Sequence, residues 1–187
     1  MTNTEKKQES SYLKTPVYKP PASYARENGE LEQYRASKKA NIACKEAIDS
    51  AISEHYAYSR LDPAAVKQVV EQFGPERTAY VLANTVKQKD WDERFSSSNR
   101  NWANTMPVIP NPDGFGGDGN DSFVVQSHSV KTDLFITLAR QENLLTKDAI
   151  HEQKQQRQPR ASVLKKLHSA ASVTEQKKPT KQKTQER

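Results

Sequence analysis

The longest uninterrupted pattern lies between residues 30 and about 58, where the chain has no glycine or proline and is rich in Ala, Glu, Lys and Ile. Apolar side chains recur there at the spacing of one helical face. They are Leu31, Tyr34, Ile42, Ile48, Ile52 and Tyr56, with Ala40, Ala43, Ala47 and Ala51 beside them. The spacing predicts one long helix, and its alanines would let a second helix approach closely.

Two shorter helices are predicted next, because local signals mark their boundaries. Asp62 followed by Pro63 is typical of a helix start, since the Asp side chain caps the backbone and Pro fits the first turn. The pair Gly74-Pro75 ends this helix and begins the next. The first carries Val66, Val69, Val70 and Phe73 on one face, and the second carries Thr78, Val81, Leu82, Thr85 and Val86. We expect the two helices to form a hairpin that closes against the long helix as the core.

The pattern is less regular after Lys89. Helical turns are predicted at residues 91–95 and 100–103, with a break or cap at residues 96–99. Prolines and glycines between residues 106 and 121 predict an irregular surface loop. The run Phe123-Val124-Val125 predicts a short strand, paired with Val108-Ile109 across that loop. Ser129 is expected to cap a final core helix whose inner face carries Val130, Leu134, Phe135 and Leu138.

Together these patterns predict a mainly α-helical domain over residues 22–145. Its long helix packs with the αα-hairpin and a C-terminal helix, beside a small two-stranded β element. Residues 1–21 end with three prolines within six positions and are expected to be an extended, disordered lead-in. Residues 146–187 are expected to be a basic, largely disordered tail, in which residues 162–171 make a weak amphipathic helix that would order only on a partner.

The positive charge of this 187-residue chain is concentrated in the tail. The formal net charge is +6, but residues 151–187 hold ten Lys and Arg against three Glu, which leaves the first 150 residues at −1. A cationic tail raises affinity for any polyanion through counterion release, although a merely solvated end has the same composition. The residues assigned to contact with DNA or guide RNA are Arg157, Arg160, Lys165, Lys166, Lys177 and Lys178. The near-neutral body argues against a protein that mimics DNA.

Composition and spacing exclude several classes of protein. No apolar run approaches the ~18–20 residues that span a bilayer, and the N-terminus lacks a secretory segment, so a cytoplasmic protein is expected. Cys44, the single cysteine, allows no internal disulfide and lies among alanines, where a buried thiol is expected rather than a nucleophile. The four histidines form no metal or catalytic motif, and the glycine-rich residues 113–121 match neither a calcium loop nor a phosphate loop. We therefore expect no enzyme activity, metal, cofactor or membrane segment, and the oligomeric state stays open.

Residues 87–102 are the most distinctive stretch of the body, because aromatic and basic residues alternate there. The set comprises Lys87, Lys89, Trp91, Arg94, Phe95, Arg100 and Trp102. Such a mixture suits a protein interface anchored by Trp and Arg, or base stacking with phosphate pairing. The alternative is that both tryptophans complete a small core. Asp92 and Glu93 are expected to be exposed helix charges.

Three separated blocks of the sequence resemble a known bacterial family. They are YARENGELEQYRASKKANIACKEAIDSAI, FGPERTAYVLANTVKQKDWDERFSSSNRNWA and FVVQSHSVKTDLFITLARQ, within about residues 23–142. The family is a domain of unknown function that is common on conjugative and other mobile elements of gut Firmicutes. This chain departs from the family pattern at Ser129, where a proline is usual, and in its glycine-rich loop. No catalytic residues follow from the resemblance.

The free-standing size and mobile-element setting also resemble a stand-alone anti-CRISPR protein that inhibits Cas9-type nucleases. This resemblance implies a non-enzymatic protein that binds a Cas9-type ribonucleoprotein, with the Trp91–Trp102 region on protein surface and the tail on guide RNA or DNA. Two other functions stay open. One is a nucleic-acid-binding accessory factor of conjugation or replication, and the other is a scaffold domain of an element-encoded assembly.

Overall fold

Helices dominate the parts of the chain that this computed structural model describes, residues 14–108 and 120–151. The helices are α1 (Ala22–Glu27), α2 (Leu31–His55), α3 (Pro63–Phe73), α4 (Pro75–Gln88), α5 (Ser97–Thr105) and α6 (Ser129–Gln141), and a 3-10 turn spans Asn120–Phe123. Two short strands, β1 (Tyr56–Ala57) and β2 (Arg60–Leu61), form one antiparallel sheet. The predicted class, mainly α with a small two-stranded element, is confirmed.

The two helices with marked boundaries form where the sequence places them. Asp62 Oδ1 accepts a hydrogen bond from the Ala64 N–H at 2.9 Å, and Pro63 is the first residue of α3. Gly74 has a φ of 81° between α3 and α4, in the left-handed region that favours glycine. The chain therefore turns sharply there, and α3 and α4 form the predicted hairpin.

The core is built around α4, which is buried on all sides from Glu76 to Val86. It packs against α2, α3 and α5. The inner residues Val81, Leu82 and Ile48 are completely buried. The predicted packing of the hairpin on the long helix is confirmed, and α6 adds Phe135 to the same core.

The β element lies elsewhere than the sequence predicted. The long helix ends at His55 rather than near Tyr58, because the chain reverses through Tyr58 (φ 50°) and Ser59 (φ 62°) to pair β1 with β2. The run at residues 123–125 forms no strand. Instead, the buried Val125 donates its N–H to Thr85 Oγ1 at 3.0 Å. Its predicted partner Val108 is buried, and Ile109 lies outside the described residues.

The last core helix begins differently from the prediction. His128 occupies the N-cap position, and Ser129 is already the first residue of α6. The Ser129 hydroxyl does not cap the helix because it is bonded to Asp92 instead. The inner face of α6 carries Phe135, Ile136, Thr132 and Ala139, whereas Val130 is 48% exposed. The predicted inner position of Val130 is therefore wrong.

The region between α4 and α6 also differs in detail. Residues 91–95 form a non-helical turn, and the predicted break at residues 96–99 contains the first turn of α5. Ser96 is the N-cap, with its Oγ accepting from the Asn99 N–H at 3.3 Å. The predicted cap is thus confirmed, and the helix continues from it through the predicted turn at residues 100–103.

Both edges of the domain extend beyond the predicted boundaries. Residues 14–21, which we call the N-terminal strap and which belong to the predicted lead-in at residues 1–21, pack on α2 and α4 through hydrogen bonds from Arg77 and Tyr18. At the other edge, residues 147–151 are helical and Ile150 packs against the core. The predicted helix at residues 162–171 lies outside the described residues.

Candidate functional site

The most exposed tryptophan of the described chain lies in the turn that joins α4 to α5. We call residues 89–96 the Trp91 turn. The Trp91 side chain is 76% exposed, whereas Phe95, four residues later, is 3% exposed and belongs to the core. Backbone hydrogen bonds from Asp92 N to Lys89 O (2.8 Å) and from Phe95 N to Asp92 O (3.4 Å) close the turn. The turn therefore holds one aromatic ring inward and presents the other to solvent.

The buried carboxylate of Asp92 stabilises the turn through hydrogen bonds. Asp92 is 5% exposed, and its two oxygens accept a forked pair of hydrogen bonds from Arg94 Nε and Nη2, both at 2.7 Å. Ser129 Oγ donates to Asp92 Oδ2 at 2.5 Å. Arg94 foremost, and then Ser129, hold the pKa of Asp92 well below its ordinary value. The expected exposure of Asp92 is wrong, while that of Glu93 is confirmed.

The grouping of Asp92, His128 and Ser129 has the composition of a nucleophilic triad but another geometry. In a triad the serine hydroxyl donates to the histidine, and the histidine donates to the acid. Here Ser129 donates directly to Asp92, and His128 Nε2 lies 2.7 Å from Arg94 Nη1. Because a guanidinium only donates, Nε2 of His128 must be the acceptor. The cluster therefore joins the turn to α6, with no histidine placed to activate the serine.

Three of the basic residues predicted at the site point toward backbone carbonyls. Lys87 Nζ donates to Met106 O at 3.0 Å, and Lys89 Nζ donates to Val125 O at 2.8 Å and Ser127 O at 3.3 Å. Burial lowers the pKa of both lysines, although Asp49 and Asp92 oppose this at Lys89. Arg100 donates to the carbonyls of Phe95, Asp90 and Asp92. These cations close loops and leave the surface around Trp91 less basic than the sequence suggests.

Trp102, the second tryptophan of the predicted set, lies in a different environment. It is partly buried against the core on α5. The Arg140 guanidinium lies 6.0 Å from the centre of its ring, a weak cation–π contact at the outer limit of distance. The two tryptophans therefore differ, because Trp102 packs against the core whereas Trp91 is mostly exposed.

Asp49 on α2 binds the segment at residues 126–127, to which the turn is bonded through Lys89. Its carboxylate accepts from the backbone N–H groups of Gln126 and Ser127 and from the Ser127 hydroxyl, at 2.6 to 3.1 Å. Burial raises the pKa of Asp49, but these donors and Lys45 outweigh it, so the pKa lies below its ordinary value. Since Lys89 binds the carbonyl of Ser127, the Asp49 contact fixes the segment to which the turn is attached.

The sequence interpretation missed Asp49, His128 and Ser129, and also Arg77 beneath the N-terminal strap. The only local signal was the Asp-x-Arg spacing of Asp92 and Arg94 in a break between helices, which is typical of a self-paired turn. The other partners lie 34 or more positions apart along the chain. The predicted nucleic-acid residues of the tail, between 157 and 178, lie outside the described residues.

Metal and thiol chemistry have little support in the described part of the chain. Within residues 14–108 and 120–151, no group of three or more His, Cys, Asp or Glu is placed to hold a metal ion. Cys44 is buried as predicted, and burial raises its pKa to about 12, with Arg77 opposing the shift. A protonated, enclosed thiol is a poor nucleophile. No helix in these same ranges has the length and apolarity needed to cross a membrane.

The chain belongs to a family described as a protein of unknown function, DUF3849, whose family model matches residues 17–144. The match runs from the N-terminal strap to the residues after α6 and includes the Trp91 turn. No curated protein and no solved structure matches the chain. The resemblance to a domain of unknown function is confirmed, whereas the mobile-element setting and the resemblance to an anti-CRISPR protein stay predictions.

Proposed function

We propose that this protein is a non-enzymatic interaction protein that docks on a partner protein through the Trp91 turn. The observation that carries the proposal is the 76% exposure of Trp91 on a turn held by Asp92, Arg94 and Lys89. A large aromatic side chain on a rigid support loses little conformational freedom when a partner covers it. Tryptophan and arginine are also the residues most enriched among those that dominate binding energy.

A protein partner is favoured over nucleic acid for this surface. Binding to nucleic acid depends on cations that reach phosphates. Lys87, Lys89 and Arg100 are directed to backbone carbonyls, and Arg94 is paired with Asp92. The neighbouring Asp90 and Glu93 are exposed and would repel a polyanion. Contact with guide RNA or DNA is therefore assigned to the basic tail.

The proposed partner is a Cas9-type ribonucleoprotein in the bacterial cytoplasm, on the basis of the sequence resemblance. Such a nuclease must read a short duplex motif and then dock its nuclease domain before it cleaves. A small domain seated on either surface blocks cleavage without any chemistry of its own. The mobile element that carries the gene would then be protected from cleavage.

The decisive experiment combines cleavage and co-elution with a Cas9-type nuclease loaded with guide RNA. Wild-type protein is expected to co-elute and to slow cleavage. Trp91→Ala is expected to weaken binding about 10-fold or more, the loss typical of a central tryptophan. The matched control is Tyr24→Ala, because Tyr24 is also exposed (47%) and lies on α1, away from the turn in sequence. This control should bind as wild type does.

Stability measurements separate lost contact from lost folding. Trp91→Ala should change the free energy of unfolding by less than about 0.5 kcal/mol, as an exposed substitution does. Phe95→Ala should cost about 3–5 kcal/mol, because the ring is buried. If wild-type protein neither co-elutes nor slows cleavage, the assignment to Cas9-type nucleases is wrong. A salt-sensitive shift of random duplex, abolished by deleting residues 152–187, would then favour an accessory factor of conjugation, and the absence of both would favour a scaffold.

A further inference from the structure

The N-terminal strap lies in a groove that binds its backbone through hydrogen bonds. Thr15 O and Pro16 O accept hydrogen bonds from Arg77 Nη2, at 2.7 and 3.2 Å. Tyr18 donates its backbone N–H to Ser37 Oγ at 2.9 Å. Thr15 lies in a bend and residues 16–19 have no regular secondary structure. Pro16 suits its place because it has no backbone N–H and only its carbonyl is bonded by Arg77. These hydrogen bonds bind the backbone and do not themselves select side chains.

Contacts with α2, which do not involve the strap, hold Arg77 in place. It is completely buried, and its Nη1 donates to Ser37 O at 3.1 Å and to Asn41 Oδ1 on α2. The second terminal nitrogen, Nη2, is thereby directed at the two strap carbonyls. A guanidinium is always charged and can only donate, so this position of the groove requires carbonyl or carboxylate oxygens.

Side-chain selectivity in the groove rests mainly on Tyr18. Its ring packs edge-on against Tyr34, with ring centres 6.1 Å apart, and its hydroxyl donates to Glu30 Oε2 at 2.7 Å. Burial and the Glu30 contact raise the pKa of Tyr18 to about 12, so the hydroxyl remains a donor. Lys19 adds an ion pair with Glu76 at 3.4 Å. The groove thus reads two carbonyls, one N–H, an aromatic hydroxyl and a cation, in that order.

We propose that this groove, formed by α2 and the start of α4, is a binding site for proline-containing peptides with a tyrosine two residues after the proline, and that the strap is its occupant in cis. Backbone hydrogen bonds combined with pockets for particular side chains are a recurring means by which folded domains recognise peptides. A tethered segment competes at an effective concentration on the order of millimolar. A partner peptide therefore enters the groove when the contacts of the strap are weakened, or when the peptide binds the groove more tightly than the strap does. The site is separate from the Trp91 turn and does not depend on the proposed nuclease partner.

The test uses the full chain and a fluorescent peptide with the sequence of residues 13–21, followed by fluorescence anisotropy. Tyr18→Ala in the chain should raise the affinity for this peptide at least ~10-fold over wild type, because the weakened strap leaves the groove more often. The matched control Tyr58→Ala should bind the peptide as wild type does, since Tyr58 is 98% exposed in the turn between β1 and β2, outside the strap. A peptide that carries Tyr18→Ala should bind the released groove at least ~10-fold more weakly.

Two further measurements keep the proposal open to refutation. Adding Ser37→Ala to the Tyr18→Ala chain should weaken peptide binding several-fold, because it removes the acceptor for the Tyr18 N–H. If Tyr18→Ala does not fold by circular dichroism, Lys19→Glu releases the same strap by opposing Glu76 without touching the core. A folded release variant that binds no more tightly than wild type, or that binds the normal and altered peptides equally, overturns the proposal.

Discussion

The N-terminal strap and the Trp91 turn are both irregular segments fixed to the helical core, but the buried charge at the centre of each has the opposite sign. The strap is centred on the guanidinium of Arg77, which donates to its carbonyls. The turn rests on two carboxylates, because Asp92 receives Arg94 and Ser129, and Asp49 receives the segment to which Lys89 is bonded. The Arg77 contacts of the strap should therefore respond less to acid than the Asp49 and Asp92 contacts of the turn, since arginine keeps its charge whereas a carboxylate loses it.

The two regions also treat their aromatic side chains in opposite ways. The Tyr18 ring of the strap is packed against Tyr34, and its hydroxyl is bonded within the protein. The Trp91 ring of the turn is left mostly in solvent, although the backbone beneath it is firmly held. An exposed ring on a rigid support, such as that of Trp91, is suited to contact with a partner. The Tyr18 ring, in contrast, is already packed within the protein. We infer that the strap occupies a binding groove and that the turn is free to dock.

The largest expected effect is on the strap, from Arg77→Ala. The substitution removes the hydrogen bonds that Arg77 donates to the carbonyls of Ser37, Thr15 and Pro16 and opens a cavity beside α4. We expect the free energy of unfolding to fall by roughly 3–5 kcal/mol, as when one member of a buried charged network is removed. Chemical denaturation measures the change. Arg35→Ala, an exposed arginine on α2, is the control and should cost less than about 0.5 kcal/mol. Equal losses in the two variants would refute the importance of the Arg77 contacts.

Local signals predicted the helices well, because they act within a few residues. The Asp62-Pro63 and Gly74-Pro75 pairs fix both ends of α3 through a cap and a positive φ, whatever the rest of the chain does. The long apolar spacing likewise predicted α2. The last residues of that prediction failed because a tight turn at Tyr58 and Ser59 carries no glycine or asparagine to reveal it.

The site was harder to predict, because its contacts join distant parts of the chain. Arginine is rarely buried, so nothing in the sequence of α4 reveals that Arg77 is enclosed by α2 and the strap. The sequence identified the basic residues at the end of α4 and beyond it, but not the atoms that these side chains contact. Lys89 turns to Val125, 36 positions away, and only the folded arrangement brings that carbonyl within reach. Composition could suggest an aromatic and basic surface but could not distinguish Trp91 from Phe95.

A smaller effect is the pH dependence of the Asp49 contacts that support the turn. The pKa of Asp49 is lowered in the folded protein, so its stabilisation is complete above the unfolded value of about 3.9 and is lost as the pH falls through the folded value. Asp49→Asn should cost about 1–3 kcal/mol at pH 7, because a charged acceptor is lost to Ser127 and Gln126. The gap between wild type and variant should narrow below about pH 4.

Urea denaturation of both proteins between pH 3 and pH 7 measures this gap. A difference that stays constant over the whole range would mean that the charge of Asp49 contributes nothing, and that only the shape of the side chain matters. The strap offers the internal reference. The difference between wild type and Arg77→Met should change less over the same range, because the guanidinium does not titrate there. If acid weakened both regions alike, the contrast between them would be wrong.

The smallest expected effect concerns the β1–β2 hairpin, which presents a third aromatic by another means. Tyr58 is 98% exposed, and both turn residues have positive φ without being glycine. Such a conformation costs roughly 1–2 kcal/mol per residue, whereas glycine adopts it freely but loses roughly 0.5–1 kcal/mol more backbone entropy on folding. Ser59→Gly should therefore stabilise the protein by about 0.5–1 kcal/mol in thermal or urea denaturation. Ser53→Gly, the same substitution in the exposed face of α2, should instead destabilise by about 0.5 kcal/mol. No stabilisation by Ser59→Gly would mean that the hairpin is unstrained. A stabilising effect of Ser53→Gly would mean that glycine stabilises the protein for a reason other than the positive φ at position 59.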